Sequence, residues 1–238
     1  MTQPNSEGAA LLEKPDALIL DFDKTLAFLY RDKSLLTDLA GRLCEFYRKF
    51  VPVEERLYGI DGYFAWYDLH KRVRASFGEE EALRINAEGE KIVTRFEREV
   101  TAKTPFLPGA IEALRDLKRR GVSLSIVSTN SGYAIRDALI REGIEALFDQ
   151  VLGRELPFDP DKVKPSPYLI ETCMRRLGLE GKTVWYAGDD VVDMEAAKRA
   201  GVVPVGVASG RHSREELIRA GAATCFDALS EVPAHVRL

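Results

Sequence analysis

The sequence predicts an α/β fold, a doubly wound, Rossmann-like parallel sheet core carrying an inserted all-helical cap domain. Three observations support it. Ala17 to Phe22 reads ALILDF, the nearly continuous apolar run of a strand buried on both faces. From Pro108 onward such runs alternate with helical periods, as βαβ units require. Between the two lies a block, residues 33–103, with helical periodicity and no convincing strand.

Taken in order, the first strand covers Ala17–Phe22 and ends in carboxylates. Ser34–Phe50 then places Leu35, Leu36, Leu39, Leu43, Phe46, Tyr47 and Phe50 at helical spacing, and Pro52 stops that helix. Two more helices are expected over Gly62–Phe77 and Glu79–Thr101. Helix Gly109–Arg120, ended by Gly121, leads into strand Val122–Val127. Helix Gly132–Glu142 precedes a short strand near Gln150–Leu152, and helix Ser166–Leu177 precedes strand Thr183–Ala187. Helix Val191–Ala200 precedes strand Val202–Val207, and a weak βα pair near Thr224–Leu229 closes the chain. The expected division is an N-terminal tail (1–16), a core (17–32 and 104–238) and a helical cap (33–103).

Composition narrows the function. With 238 residues, 45% hydrophobic and 30% charged, the chain can bury a sizeable core. Its 34 Lys and Arg against 38 Asp and Glu give a net charge of −4, which argues against nucleic acid or an anionic membrane as partner. Cys44, Cys173 and Cys225 contain no CxxC pair, so neither a disulfide framework nor a zinc knuckle is expected and a cytoplasmic location fits. Ala9–Leu12 is too short for a signal peptide, and no run approaches transmembrane length. Nothing decides between a monomer and a homodimer.

Ligands of open parallel sheets bind beyond the carboxyl ends of the strands. There the sequence places Asp21-Phe22-Asp23-Lys24-Thr25, Ser128-Thr129-Asn130, and Gly188-Asp189-Asp190 followed by Asp193, with Lys164-Pro165-Ser166-Pro167 in a loop between the last two. Asp21, Asp23, Asp189, Asp190 and Asp193 against Lys164 leave four uncompensated negative charges, untenable in a partly desolvated site without a cation. An oxygen-only donor set selects Mg²⁺ over zinc, and Mg²⁺ commonly pairs with substrate phosphate.

The four segments, in order, resemble the motifs of the haloacid dehalogenase (HAD) superfamily, and within it the phosphoglycolate phosphatase-like subgroup with a helical cap. The resemblance runs from about Ala17 to Gly210, with Leu107-Pro108-Gly109 and Ala196–Gly201 also typical. One departure is Lys24, where the family usually has Gly. The resemblance implies a phosphatase acting on a small-molecule phosphate ester. Asp21 is then the nucleophile that becomes an aspartyl phosphate, and Asp23 the acid/base. Ser128, the amide of Thr129 and Lys164 hold phosphoryl oxygens. Mg²⁺ is carried by Asp21, Asp189 and the main-chain oxygen of Asp23, with Thr25, Asn130, Asp190 and Asp193 around them. A phosphosugar mutase of the β-phosphoglucomutase type shares all four motifs. A phospho-acceptor receiver module shares the acidic strand ends, but not the insertion or Asp23.

Blander readings compete at several places. Ser128-Thr129 and Asp190 equally suit helix N-caps. Gly178–Thr183 looks like a shortened P-loop but lacks its first Gly and opens a strand. Tyr63, Phe64, Trp66 and Tyr67 are expected mainly as cap core. An insertion after the first strand should hang over the strand ends as a lid. By position, Arg31, Tyr58, Tyr63, Trp66, His70, Arg72 and Arg74 are candidates for substrate specificity.

Overall fold

The computed structural model describes residues 12–154, 157 and 159–237. Strand β1 (Ala17–Leu20) is followed by helices α1 (Ser34–Tyr47), α2 (Gly62–Ser76) and α3 (Glu79–Thr101). The chain then runs through α4 (Ala110–Arg119), β2 (Ser123–Ser131), α5 (Gly132–Arg141), β3 (Gln150–Arg154), α6 (Tyr168–Leu177) and β4 (Val184–Gly188). It finishes with α7 (Val191–Arg199), β5 (Val203–Val207), α8 (Arg214–Ala220), β6 (Thr224–Phe226) and a 3₁₀ stretch, Leu229–His235.

The six strands form one sheet in the order β3-β2-β1-β4-β5-β6, and every pairing is parallel. β1 is central, between β2 and β4, so strand order reverses there and opens a crevice at its carboxyl end. All four β1 residues are buried, and they divide by the period of a strand. Leu18 and Leu20 join the cluster that also holds Leu124, Ile126 and Val205, while Ala17 and Ile19 pack with Ile170, Cys173, Tyr186 and Ala197 behind the sheet. Leu20 pairs with Ile126 on one side and Ala187 on the other, which makes Asp21 the first residue past the paired run.

The expected helices appear within a few residues of their predicted ends, and α3 matches throughout. Four differences have local causes. β2 continues to Ser131 because Ser131 pairs with Arg154 beyond an irregularity after Val127. Helix α8 was not expected, although Ser213 and Glu216 form a reciprocal capping box at its start. After β6 the chain forms a 3₁₀ stretch with Pro233 inside it rather than an α-helix. The expected tail, 1–16, lies outside the described residues up to 11, but from Leu12 on it is docked. Leu12 N–H donates to the His235 carbonyl (2.8 Å), and the Asp16 carboxylate accepts from Thr183 N–H (2.8 Å). No described helix is long and apolar enough to cross a membrane.

Candidate active site

β1 delivers Asp21 and β4 delivers Asp189 side by side at the crevice, and α7 begins directly after β4 and turns Asp193 back toward both. Among the described residues, one carboxylate oxygen from each of Asp21, Asp189 and Asp193 falls in a group whose members lie within 4.8 Å of one another. All three side chains are buried. Lys164 reaches in from the loop before α6, its Nζ 2.8 Å from Asp21 Oδ1 and 2.6 Å from Asp193 Oδ1. Lys164 also donates to the Tyr186 hydroxyl (3.1 Å), which in turn donates to the Val127 carbonyl (3.0 Å) and so ties the lysine to β2.

Close packing required two glycines. A Cβ on Gly188 would overlap the Asp193 carboxylate, and one on Gly210 would overlap Asp189 Oδ2. Lys24 sits at φ 60°, the left-handed region that costs a side-chain-bearing residue about 1–2 kcal/mol, which explains why Gly is usual there. The turn is held by Lys24 N–H donating to the Ala27 carbonyl (2.6 Å) and by Ser209 Oγ donating to the Lys24 carbonyl.

Three carboxylates against one ammonium is an unbalanced buried site. Burial pushes Asp189 up to about 8, and the nearby Asp193 and Asp21 carboxylates add to it. Burial likewise raises Asp193, against the attraction of Lys164. Burial alone would lower Lys164, but Asp193 and Asp21 outweigh it and hold the ammonium well above its usual range. Asp189 Oδ2 is buried with no hydrogen-bond partner among the described residues. An unpartnered carboxylate oxygen, excess negative charge and an all-oxygen donor set fit a hard divalent cation such as Mg²⁺.

Asp23 stands apart from this group. Its Oδ1 accepts from Leu29 N–H (2.8 Å), and Lys24 Nζ is 3.7 Å from Oδ2. Burial raises its pKa to about 6, opposed by Lys24 and the Leu29 N–H. A carboxyl so placed exchanges its proton near neutrality. Thr25 is buried with a hydroxyl lacking a partner among the described residues. Ser128 Oγ donates to Asn130 Oδ1 (3.2 Å), and the Thr129 carbonyl accepts from Arg154 (2.8 Å). Asp190 is the N-cap of α7, accepting from Val192 N–H in a capping box with Asp193, and it pairs with Arg211 at 2.8 Å. Its N-cap role is therefore met.

The cap candidates separate. Tyr63 reaches the strand ends: its hydroxyl contacts the Tyr30 hydroxyl (2.6 Å), donates to Glu97 (2.5 Å) and accepts from the Asn130 amide (3.3 Å). Trp66 is buried under the Arg154 guanidinium, 5.0 Å from ring centroid to Cζ, and Phe64 is exposed rather than part of the cap core. Tyr58 bonds to Glu45 and Arg72 pairs with Glu54 and Asp68, both at the surface. Arg31 lies over the Phe28 ring, while His70 and Arg74 line a separate cavity of about 650 Å³ between α2, α3 and the segment before α6. Sequence reasoning missed Tyr186, Glu97, Arg154 and Tyr30. None carries a local motif, and only pairing and packing bring them to the site.

The family model for haloacid dehalogenase-like hydrolases matches residues 18–207. A protein named "Probable phosphatase IndB" from Dickeya dadantii is 34% identical over 152 residues, 63% of this chain and 64% of that protein. A phosphoglycolate phosphatase from Synechococcus elongatus is 30% identical over 146 residues, 60% of this chain and 64% of that protein. The chain thus spans a little under two thirds of the length of these relatives. A solved Bacteroides fragilis chain, provisionally named a haloacid dehalogenase-like hydrolase, superposes with TM-score 0.68 at 22% identity, over 92% of this chain and 100% of that one. That likeness shows the fold.

Proposed function

Since this chain belongs to the haloacid dehalogenase-like hydrolase family, we propose that it is a Mg²⁺-dependent phosphatase. In this reading it hydrolyses a small phosphate monoester, as phosphoglycolate phosphatases do, through an aspartyl-phosphate intermediate. The observation that carries the reading is the buried group of Asp21, Asp189 and Asp193 with Lys164 on two of its carboxylates, at the sheet's switch point.

An Asp21 carboxylate oxygen attacks phosphorus as the ester oxygen leaves, so one hard hydrolysis becomes two displacements. Asp23 gives its proton to the leaving alcohol, then takes one from the water that releases phosphate. Lys164 offsets the negative charge around Asp21, and Ser128 with the Thr129 amide holds phosphoryl oxygens. Asp21, Asp189 and the main-chain oxygen of Asp23 would hold Mg²⁺, which would supply charge withdrawal from the phosphoryl oxygens. Asp193 anchors Lys164, Asn130 bonds to Ser128, and Thr25 lies buried in the turn after Asp23.

Residues 17–32 and 104–238 form the catalytic core in this scheme, and residues 33–103 a cap that excludes water over the strand ends. The test is phosphate release from a panel of phosphate esters by wild-type protein and Asp21→Asn. Turnover should vanish in the variant, and substantial phosphate release by Asp21→Asn would remove the nucleophile. An isomerised sugar phosphate in place of free phosphate would move the assignment to a mutase.

A further inference from the structure

Glu97 lies on α3, is fully buried, and belongs to none of the four motifs. Its carboxylate is saturated. Oε1 accepts from Tyr63 Oη (2.5 Å), Arg154 Nη1 (3.0 Å) and Asn130 Nδ2 (3.2 Å). Oε2 accepts from Arg154 Nη2 (2.8 Å) and from the backbone N–H of Ser131 (2.8 Å). Both oxygens thus join a guanidinium to the segment that ends β2.

We propose that Glu97 is a positioning residue for the phosphoryl pocket: from the helical insertion it holds Asn130 and Ser131, and through them Ser128, with Arg154 as its counter-charge. The proposal rests on the phosphatase reading above for the role of Ser128. Its geometry is independent of that reading.

The Asn130 amide links Glu97 to Ser128. Asn130 N–H donates to Ser128 Oγ (3.3 Å) and so places the oxygen, while the single hydroxyl proton rests on Asn130 Oδ1 (3.2 Å) and has to turn from there to a phosphoryl oxygen when phosphate binds. Both the position and the resting direction of the hydroxyl therefore depend on Asn130. The amide is oriented by its Nδ2, which donates to Glu97 and to the Tyr63 oxygen. A carboxylate can only accept, so it admits one orientation of the amide and excludes the flipped one. The Ser131 N–H bond pins the backbone two bonds further along. Arg154 makes the arrangement tolerable, since a carboxylate this deeply buried needs a bidentate partner.

A purely structural ion pair is the competing explanation, and Glu90 separates the two. Glu90 is as buried, and its Oε1 takes Arg154 Nε at 2.6 Å, but it has no bond to residues 128–131. If Arg154 only stabilised the fold, losing either glutamate would affect the pocket alike.

The experiment is titration of Mg²⁺-loaded protein with inorganic phosphate by calorimetry, alongside steady-state kinetics, for wild type, Glu97→Gln, Glu97→Asp and Glu90→Gln. Glu97→Gln puts an amide N–H₂ where two donors already point. Glu97→Asp keeps the charge opposite Arg154 but is one methylene too short to span both arms, and whichever of the two folds is read. Phosphate Kd should rise about tenfold and kcat/KM fall at least as far, the scale of one charge-assisted hydrogen bond. Glu90→Gln should stay within twofold on both. A folded Glu97 variant with wild-type phosphate affinity, or a Glu90→Gln shift as large as that of Glu97→Gln, overturns the proposal. Wild-type protein that binds phosphate but releases none from any ester would instead sink the phosphatase reading and leave the affinity comparison standing.

Discussion

Replacing Glu90 with Gln should make the protein more stable at pH 8 and leave it nearly unchanged at pH 5. Glu90 is 1% exposed on α3. Its Oε1 accepts from Arg154 and from Thr94 Oγ1 (3.3 Å), while Oε2 is buried with no partner among the described residues. The charged and titratable groups near it are Arg154 from β3, Glu97 on its own helix, Tyr47 from α1 and Tyr67 from α2. Burial raises its pKa from 4.5 to about 7, and Arg154 only partly opposes this because the guanidinium also serves Glu97. The folded state therefore holds the Glu90 proton more tightly than the unfolded chain does. Stability contributed by that proton is present below about pH 4.5, is lost as pH rises through 7, and is flat above. The full span is on the order of 3 kcal/mol, of which about 2–3 kcal/mol falls between pH 5 and pH 8. Glutamine resembles the protonated acid and does not ionise, so the variant should escape that loss. Urea denaturation of wild type and Glu90→Gln at pH 5 and pH 8 reads the difference directly, and melting at pH 8 should rise by about 5–10 °C. Parallel pH curves for the two proteins, or a variant less stable than wild type at pH 8, would refute the account of this cluster.

Chelation should silence the enzyme and Mg²⁺ restore it, and Asp189→Asn should raise the Mg²⁺ concentration needed or abolish activity, read by phosphate release. Gly89→Ala should destabilise the protein by about 1–3 kcal/mol despite alanine's better helix propensity, because the new Cβ would lie 2.7 Å from Tyr47 Cζ, whose hydroxyl donates to the buried Asn86. Equal or higher melting temperature in Gly89→Ala would contradict that packing. If the helical insertion acts as a lid, phosphoglycolate, sugar phosphates or nucleoside monophosphates should be hydrolysed faster than a phosphopeptide or a 5′-phosphorylated oligonucleotide. The reverse order would defeat the lid argument while sparing the catalytic assignments.

The sequence alone specifies the alternation of strands and helices and the emergence of Asp21 and Asp189 directly past β1 and β4, whereas Ser128 lies inside β2, which runs on to Ser131. These are local properties: an apolar run with a carboxylate behind it states both a buried strand and where its side chains must emerge into polar surroundings. It missed α8, whose seven residues are too few for a periodic signal and whose capping box stands after a stretch of loop. It read Asp190 as equally suited to the site and to a cap, since the same carboxylate chemistry serves both, and only the position of Val192 N–H and Arg211 shows the cap filled. Glu97 and Arg154 are ordinary charged residues in their own elements, separated by 57 positions, and nothing near either one marks it. Folding brings them together at the β2 end, beside Tyr63 and Asn130. A buried ion pair is made by desolvation and by the fit of two distant surfaces, and neither is written in the residues adjoining them.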